Sequence, residues 1–384
     1  MNTQSISITP TVVWTEKDQE LSARWQSENG SPAPKRIVIA DDTMTADQAY
    51  HLACEGTALL WRSDFHNAKQ LMQAMARRID RKPRKLKPAS MTEAFHLHRQ
   101  AQAQRARTLG MLLIQVGADF SISLGRAPDV KEACREAYGK PSSPFVVSLR
   151  ELLGIIGAYE WRKNGVEIPE IGARIYPHYG VFSPVRGEYL QLLEEAPLPQ
   201  CDLAFDIGTG TGVIAALLAK RGIAKIIATE LDQRALNCAK ENIHKLGLTQ
   251  RVEIQQKDMF PDGRASLIVC NPPWLPAKPN AAIEHAIYDP ESRMLRSFLT
   301  GLSKHLNPNG EGWLVMSDFA EHLGLRTKNE LMELIDQAGL YIAEKLDIKP
   351  QHSKSMDKTD PLFKARISET TSLWILKIRN QKPV

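Results

Sequence analysis

Apolar positions recur along this chain in two rhythms, and each change of rhythm marks a change of element. Arg36-Ile-Val-Ile-Ala40 and Thr57-Ala-Leu-Leu-Trp61 are apolar runs of strand length, and Ala46 to Cys54 between them reads as a helix. Asp64 can cap the helix that follows, in which Phe65, Ala68, Leu71, Met72, Met75 and Ile79 recur at helical spacing. Met111 to Val116 and Phe120 to Leu124 are expected strands around a Gly-Ala-Asp turn, and Val130 to Tyr138 and Val146 to Trp161 expected helices. Upstream, Met1 to about Arg36 is polar, with a loop signature at Asn29-Gly-Ser-Pro-Ala-Pro34, and predicts a loosely ordered start. Gly and Pro punctuate Lys163 to Pro169, which places an expected boundary between a smaller α/β domain over 1–165 and a second domain over 166–384.

In that second part the alternation is regular. Ile175 to Phe182 reads as extended and Glu188 to Glu194 as helical. Strand and helix patterns then alternate through Leu203–Ile207, Val213–Lys220, Lys225–Glu230, Arg234–Leu246, Val252–Gln256, Leu267–Cys270, Met294–His305, Gly312–Ser317 and Lys328–Ala338. This rhythm implies an α/β fold with a mostly parallel sheet covered on both faces. Tyr341 to Ile348 and Ser372 to Ile378 can add an antiparallel hairpin at the sheet edge.

Composition changes this picture only at the margins. With 384 residues, 43% apolar and 24% charged, the chain has ample material for a core. No run approaches the roughly 20 apolar residues of a membrane span, and Met1 to Lys17 lacks the basic-then-apolar order of a signal peptide, so a cytoplasmic protein is expected. Five scattered cysteines without a Cys-x-x-Cys pair argue for reduced thiols, with no disulfide scaffold and no metal site. Charge is the exception: residues 1–76 carry six Lys/Arg against nine Asp/Glu, whereas 77–107 carry ten against Asp80 and Glu93 alone. Such a basic block can attract phosphates, although charge runs are more often solvated helix ends.

The chemistry concentrates in two segments. Asp206-Ile-Gly-Thr-Gly-Thr-Gly212 follows a short apolar strand and opens a helix, so Gly208, Gly210 and Gly212, with Thr209 between them, can bring bare backbone and helix N–H groups to a nucleotide-like ligand. No Lys-Ser/Thr follows the glycines, which disfavours a phosphate-gripping loop. The spacing also departs from the dinucleotide fingerprint, and an acid at Asp206 suits a ligand with a cationic amino group, as in S-adenosylmethionine. Glu230, eighteen residues after Gly212, can accept hydrogen bonds from ribose hydroxyls, and Asp258 can reach an adenine amino group. The second segment, Asn271-Pro-Pro-Trp274, comes directly after the apolar run Leu267 to Cys270. Two prolines can hold the Asn271 side-chain oxygen and the Pro272 carbonyl pointing one way, toward the N–H groups of one planar nitrogen, with Trp274 offering a flat face. Elsewhere Asn-Pro-Pro is merely a tripeptide that starts loops; behind a fourth strand and paired with the glycine turn it reads as catalytic.

Residues 180–320 thereby resemble a class I S-adenosylmethionine-dependent methyltransferase of the Asn-Pro-Pro-Tyr/Phe/Trp group. Phe205 to Gly212, Ala228 to Leu236, Lys240-Glu-Asn242, Lys257-Asp-Met-Phe260 and Asn271 to Pro276 are similar to HemK-type protein glutamine methyltransferases, while Tyr179-Gly-Val-Phe-Ser183 is closer to small-methyltransferase-domain enzymes that act on ribosomal RNA. The resemblance implies a doubly wound, mostly parallel seven-stranded sheet. It also implies cofactor contacts at Asp206, Gly208, Thr209, Gly210, Gly212, Glu230, Leu231, Asp258, Met259, Asn271 and Phe182, and catalytic roles for Asn271, Pro272, Pro273 and Trp274. The expected activity is N-methylation of a planar amino or amide nitrogen on a macromolecule, with an RNA or ribosomal partner slightly favoured over a protein glutamine because of the basic block and the Gly180-Val-Phe-Ser183 segment, and DNA adenine as a third acceptor. The alternatives are a non-catalytic RNA-binding or scaffolding module on a degenerate fold, and a nicotinamide-dependent oxidoreductase.

Overall fold

The computed structural model describes residues 10–81, 88–140, 142–184, 187–279, 282–350 and 357–379. The chain forms two compact units, one of Met1–Lys87 with Leu97–Glu160, the other of Pro88–His96 with Trp161–Val384.

In the first unit, β1 (Thr11–Glu16), β2 (Gln19–Gln26), β3 (Arg36–Ala40), β4 (Thr57–Trp61), β5 (Leu112–Val116) and β6 (Phe145–Ser148) form one sheet in the order β1-β2-β6-β5-β4-β3. Helices α1 (Ala46–Cys54), α2 (Phe65–Asp80), α3 (Met91–Gly110), α4 (Lys131–Tyr138) and α5 (Leu149–Asn164) complete the first part of the chain. Asp64 caps α2 as its sequence position predicts, accepting from the backbone N–H of His66 at 2.8 Å.

Four expectations need correction. The polar stretch before Arg36 holds the β1–β2 hairpin. Its strands bury only alternate residues, Val12, Trp14 and Trp25, and its two-residue turn uses Lys17 and Asp18 at φ 54° and 61°, so neither an apolar run nor an Asn-Gly signal marks it. Phe120 to Leu124 is a loop: Phe120 takes φ 66° and buries its ring, so the apolar residues there plug the core without pairing. The run from Val146 is strand β6 before it is helix α5, with no Gly or Pro at the junction to separate them. Ile175 ends its strand, and the chain turns at Gly180, φ 79°, where extended structure to Phe182 was expected. Of the basic block, Lys82, Arg84, Lys85 and Lys87 lie outside the described residues.

The second unit holds the antiparallel pair β7 (Val166–Ile168) and β8 (Ala173–Ile175). A larger sheet follows, of β9 (Leu203–Ile207), β10 (Lys225–Glu230), β11 (Val252–Gln256), β12 (Ala265–Cys270), β13 (Leu306–Ser317), β14 (Leu340–Ile348) and β15 (Thr371–Ile378), in the order β11-β10-β9-β12-β13-β15-β14. The first five of these strands pair in parallel, and β15 pairs antiparallel with both β13 and β14, so the C-terminal strands do form the antiparallel edge. Helices α6 (Glu188–Glu195), α7 (Val213–Lys220), α8 (Gln233–Lys245), α9 (Arg293–His305), α10 (Phe319–His322), α11 (Glu330–Gln337) and α12 (Phe363–Ser368) accompany it. Side chains alternate between two cores. Ala204, Leu267, Val269, Trp313 and Val315 pack with α6 and α7, while Phe205, Ile207, Ile268, Cys270, Leu314 and Met316 pack with α9 and α11. Strands buried on both faces explain the near-continuous apolar runs that the sequence shows. Among the described residues no helix is long and apolar enough to cross a membrane.

The order of strands puts the ends of β9, β10, β11 and β12, where the glycine turn, Glu230, Asp258 and Asn271 lie, along one rim. Phe260 anchors that rim from below, its ring stacked on Phe298 at 6.0 Å and on His305 at 4.5 Å. A Cβ placed on Gly301 of α9 would collide with the Phe260 ring, which is stacked on both Phe298 and His305. Gly301→Ala gains up to about 1 kcal/mol in helix propensity but loses about 1–3 kcal/mol to overpacking. Net destabilisation is expected, read as a lower urea midpoint; an unchanged or raised midpoint contradicts this packing.

Candidate active site

Alternation along β9 turns Asp206 toward the face that α7 covers, and pairing with β10 and β12 on either side leaves it no exposure to solvent. One carboxylate oxygen, Oδ2, accepts from the Thr209 hydroxyl at 2.6 Å and from the Ala215 N–H at 3.1 Å, so it ties the glycine turn to the first turn of α7. The other, Oδ1, has no hydrogen-bond partner among the described residues. Burial pushes the Asp206 carboxyl up to about 7, opposed by those two hydrogen bonds and assisted by the charge of Glu230.

The turn is held from the neighbouring strand as well, the N–H groups of Gly208 and Thr209 donating to the Thr229 carbonyl at 3.0 and 2.9 Å. Gly212 adopts φ 83° with α8 behind it, where a Cβ would sit 3.4 Å from the Ala239 Cα, so both conformation and space require glycine. Over Gly210, by contrast, a Cβ would meet nothing within 4 Å. The turn thus has an open face. Over Gly208 it is closed: the terminal methyl of Met294 lies where a Cβ would go.

Glu230, at the end of β10, accepts from the N–H groups of Gly210 at 3.0 Å, Leu231 at 2.8 Å and Asp232 at 2.9 Å, which fixes its carboxylate between the glycine turn and the start of α8. Burial raises its pKa, and those backbone donors oppose the shift. Next to it Leu231 is 55% exposed, and Phe182 is 37% exposed. Asp258 is clasped by Arg293 at 3.0 and 3.1 Å. Met259 takes φ 70°, and its carbonyl accepts from the Thr229 hydroxyl at 2.6 Å.

Asn271 follows β12, the neighbour of β9, so it stands beside the glycine turn. Its Oδ1 accepts from the Trp274 indole N–H at 2.9 Å. Because an indole can only donate, this contact settles which end of the carboxamide is oxygen, and it leaves one lone pair of Oδ1 for another donor. Trp274 is half-buried and packs against both cores of the sheet. Leu275, one residue on, lies in a separate apolar cluster with Phe95, Phe319, Leu323 and Leu362.

Three further residues were not assigned from sequence. Asn242 is fully buried, donates to the Thr211 carbonyl at 2.9 Å and accepts from the Tyr176 N–H at 2.8 Å; a polar residue on the core side of an amphipathic helix was the available signal. Asp289 accepts from the N–H groups of Met294 and Leu295 at the start of α9, and an Asp-Pro before a helix could have marked it. Arg293 carried no signal, since its partner Asp258 is remote in sequence.

Residues 173–343 match the family model of the methyltransferase small domain. A release factor glutamine methyltransferase of Cereibacter sphaeroides is 32% identical over 197 residues, covering 47% of this chain and 66% of that protein. A tRNA1(Val) (adenine(37)-N6)-methyltransferase of a Shewanella strain is 27% identical over 184 residues, covering 46% of this chain and 74% of that protein. A solved methyltransferase from Pyrococcus furiosus superposes with a TM-score of 0.41 at 19% identity, over 58% of this chain and 98% of its own.

The raised carboxyl at Asp206 has a consequence for stability. The folded protein holds this proton up to about pH 7, whereas an unfolded Asp releases it near its ordinary value of 3.8. The native state therefore binds more protons across that interval, and unfolding free energy falls as pH rises through it. Asp206→Asn removes this part of the slope and supplies an amide N–H₂ where Oδ1 lacks a partner. Urea unfolding at pH 5 and pH 8 is expected to show a smaller difference for the variant than for the parent; equal differences contradict the assignment.

Proposed function

We propose that the methyltransferase small domain carried by this chain transfers a methyl group from S-adenosylmethionine to a planar –NH₂ nitrogen, an adenine-type amino group or a carboxamide, on a macromolecule. The observation that carries this reading is Asn271, its oxygen identity set by Trp274, one strand away from a glycine turn with an open face. The residues present fit the cofactor. Asp206 offers a buried, unpartnered carboxylate oxygen suited to an ammonium group. Glu230 sits where ribose hydroxyls can donate to it, and the exposed side chains of Leu231 and Phe182 suit a purine ring. Bound there, S-adenosylmethionine supplies an electrophilic methyl carbon on a sulfonium sulfur.

The chain's own part is positioning. A planar nitrogen is a poor nucleophile because its lone pair is delocalised. Acceptance of its two N–H groups by Asn271 Oδ1 and the Pro272 carbonyl stabilises the positive charge that develops on nitrogen as the new bond forms. Neither oxygen is basic enough to retain the released proton, which passes to water.

Two acceptor classes remain, each with its own support. The relative from Cereibacter sphaeroides is named for glutamine and that from Shewanella for adenine N6. For RNA the further support is the basic block, though Arg78 and Arg105 in it are already paired with Asp47 and Asp80. Incubation with methyl-labelled S-adenosylmethionine and cell extract separates them: label released by nuclease identifies RNA, label released by protease a protein, and no label transferred to either overturns the reading. Asn271→Ala is expected to leave cofactor affinity nearly unchanged and lower kcat by about 10²-fold or more, as for loss of one transition-state acceptor; unchanged turnover removes Asn271 from the chemistry.

A further inference from the structure

The connection between β12 and α9 leads into a helix whose first two residues, Arg293 and Met294, reach two loops of the site. The Leu275 N–H donates to the Ile287 carbonyl at 3.1 Å, and the Asp289 N–H donates to the Leu275 carbonyl at 2.8 Å, so this segment is fastened to the catalytic motif. Asp289 is buried, and its carboxylate accepts from Met294 at 2.9 and 3.0 Å and from Leu295 at 3.2 Å. Between these anchors Glu291 and Ser292 both adopt left-handed backbone, at φ 57° and 53°, a conformation that non-glycine residues hold only when their surroundings impose it. Its effect is to aim two consecutive side chains at two different loops. Met294 covers Gly208, and Arg293 reaches Asp258, with Nη2 at 3.0 Å from Oδ1 and Nη1 at 3.1 Å from Oδ2.

We propose that Arg293 is a positioning residue for the purine end of the cofactor, acting through Asp258. The guanidinium fork engages one edge of the carboxylate, Oδ1 accepting from Nη2 and Oδ2 from both Nη1 and Nη2, and leaves the opposite edge to present Asp258 in one fixed orientation to an exocyclic amino donor. An unclasped Asp258, 49% exposed at its side chain, would otherwise rotate in water and lose part of that interaction to solvent. The clasp itself is exposed and adds little to folding stability. Its geometry matters more than its energy, because the anchored segment keeps the pair in register with the glycine turn on one side and Leu275 on the other.

This inference rests on the S-adenosylmethionine reading, and one set of calorimetric titrations separates the two. S-adenosylhomocysteine is titrated into the full-length protein, Arg293→Gln, Asp258→Ala and the double variant, alongside S-inosylhomocysteine, which carries a carbonyl in place of the purine amino group. The parent is expected to bind the adenosyl ligand more tightly than the inosyl one. In Arg293→Gln the adenosyl affinity is expected to fall about tenfold and the preference to narrow, with an unchanged thermal midpoint. Because Arg293 acts through Asp258, the double variant is expected to bind no worse than Asp258→Ala alone. Arg293→Lys, which keeps the charge but not the fork, gives an intermediate loss. Wild-type affinity in Arg293→Gln, or losses that multiply in the double variant, overturns the proposal. No binding by the parent overturns the cofactor reading beneath it.

Discussion

A carboxylate at the end of a central strand, shut off from water, is the constraint around which this rim is built. Asp206 lies on β9 between Ala228 of β10 and Val269 of β12, and a charge there is costly unless it is hydrogen-bonded. One oxygen is satisfied by Thr209 and Ala215, and that satisfaction is also what shapes the glycine turn against α7. The other is left without a partner, which makes Asp206 a place where a hydrogen-bonding cation would be strongly favoured. Shape and electrostatics of the turn therefore have one origin.

Around Asp206 the remaining polar groups of the rim are already engaged by the protein itself. Glu230 is bound by three backbone N–H groups, Asp258 by Arg293, and Asn271 by Trp274. Each contact uses part of a group's capacity and fixes the direction of the rest. A rim arranged in this way loses little orientational entropy when a ligand arrives, which is the physical content of preorganisation. Trp274 after Asn-Pro-Pro has a definite effect here, since its indole brings an N–H to that carboxamide oxygen.

Residues Pro88–His96 show how strand order can reassign a segment. In sequence they sit inside a basic block; in space they belong to the second unit, where Phe95 packs in the cluster that contains Leu275, directly after Asn271-Pro-Pro-Trp274. Positive charge drew attention to the block, but what the described part contributes to the site is apolar.

What the amino-acid sequence determined by itself was local and periodic. The β9 to α9 alternation, the cap at Asp64, the glycine turn after an apolar strand and the Asn-Pro-Pro-Trp loop are all written in consecutive residues, where spacing alone reports on geometry. The hairpin of β1 and β2 and the strand β6 were hidden because half-buried strands show only every second apolar residue, and because strand and helix ran together without a break. Only the tertiary structure decided the rest: that Oδ1 of Asp206 would be left unpartnered, that Arg293 would clasp Asp258, that Met294 would cover Gly208, and that Asn242 would bind the turn to Tyr176. These pairs are between 35 and 86 residues apart or depend on what fails to approach, as the Asp258 to Arg293, Gly208 to Met294 and Asn242 to Tyr176 separations show. Side chains so distant meet only because parallel strands bring their ends to one rim, and no periodicity in the chain records which of them will touch.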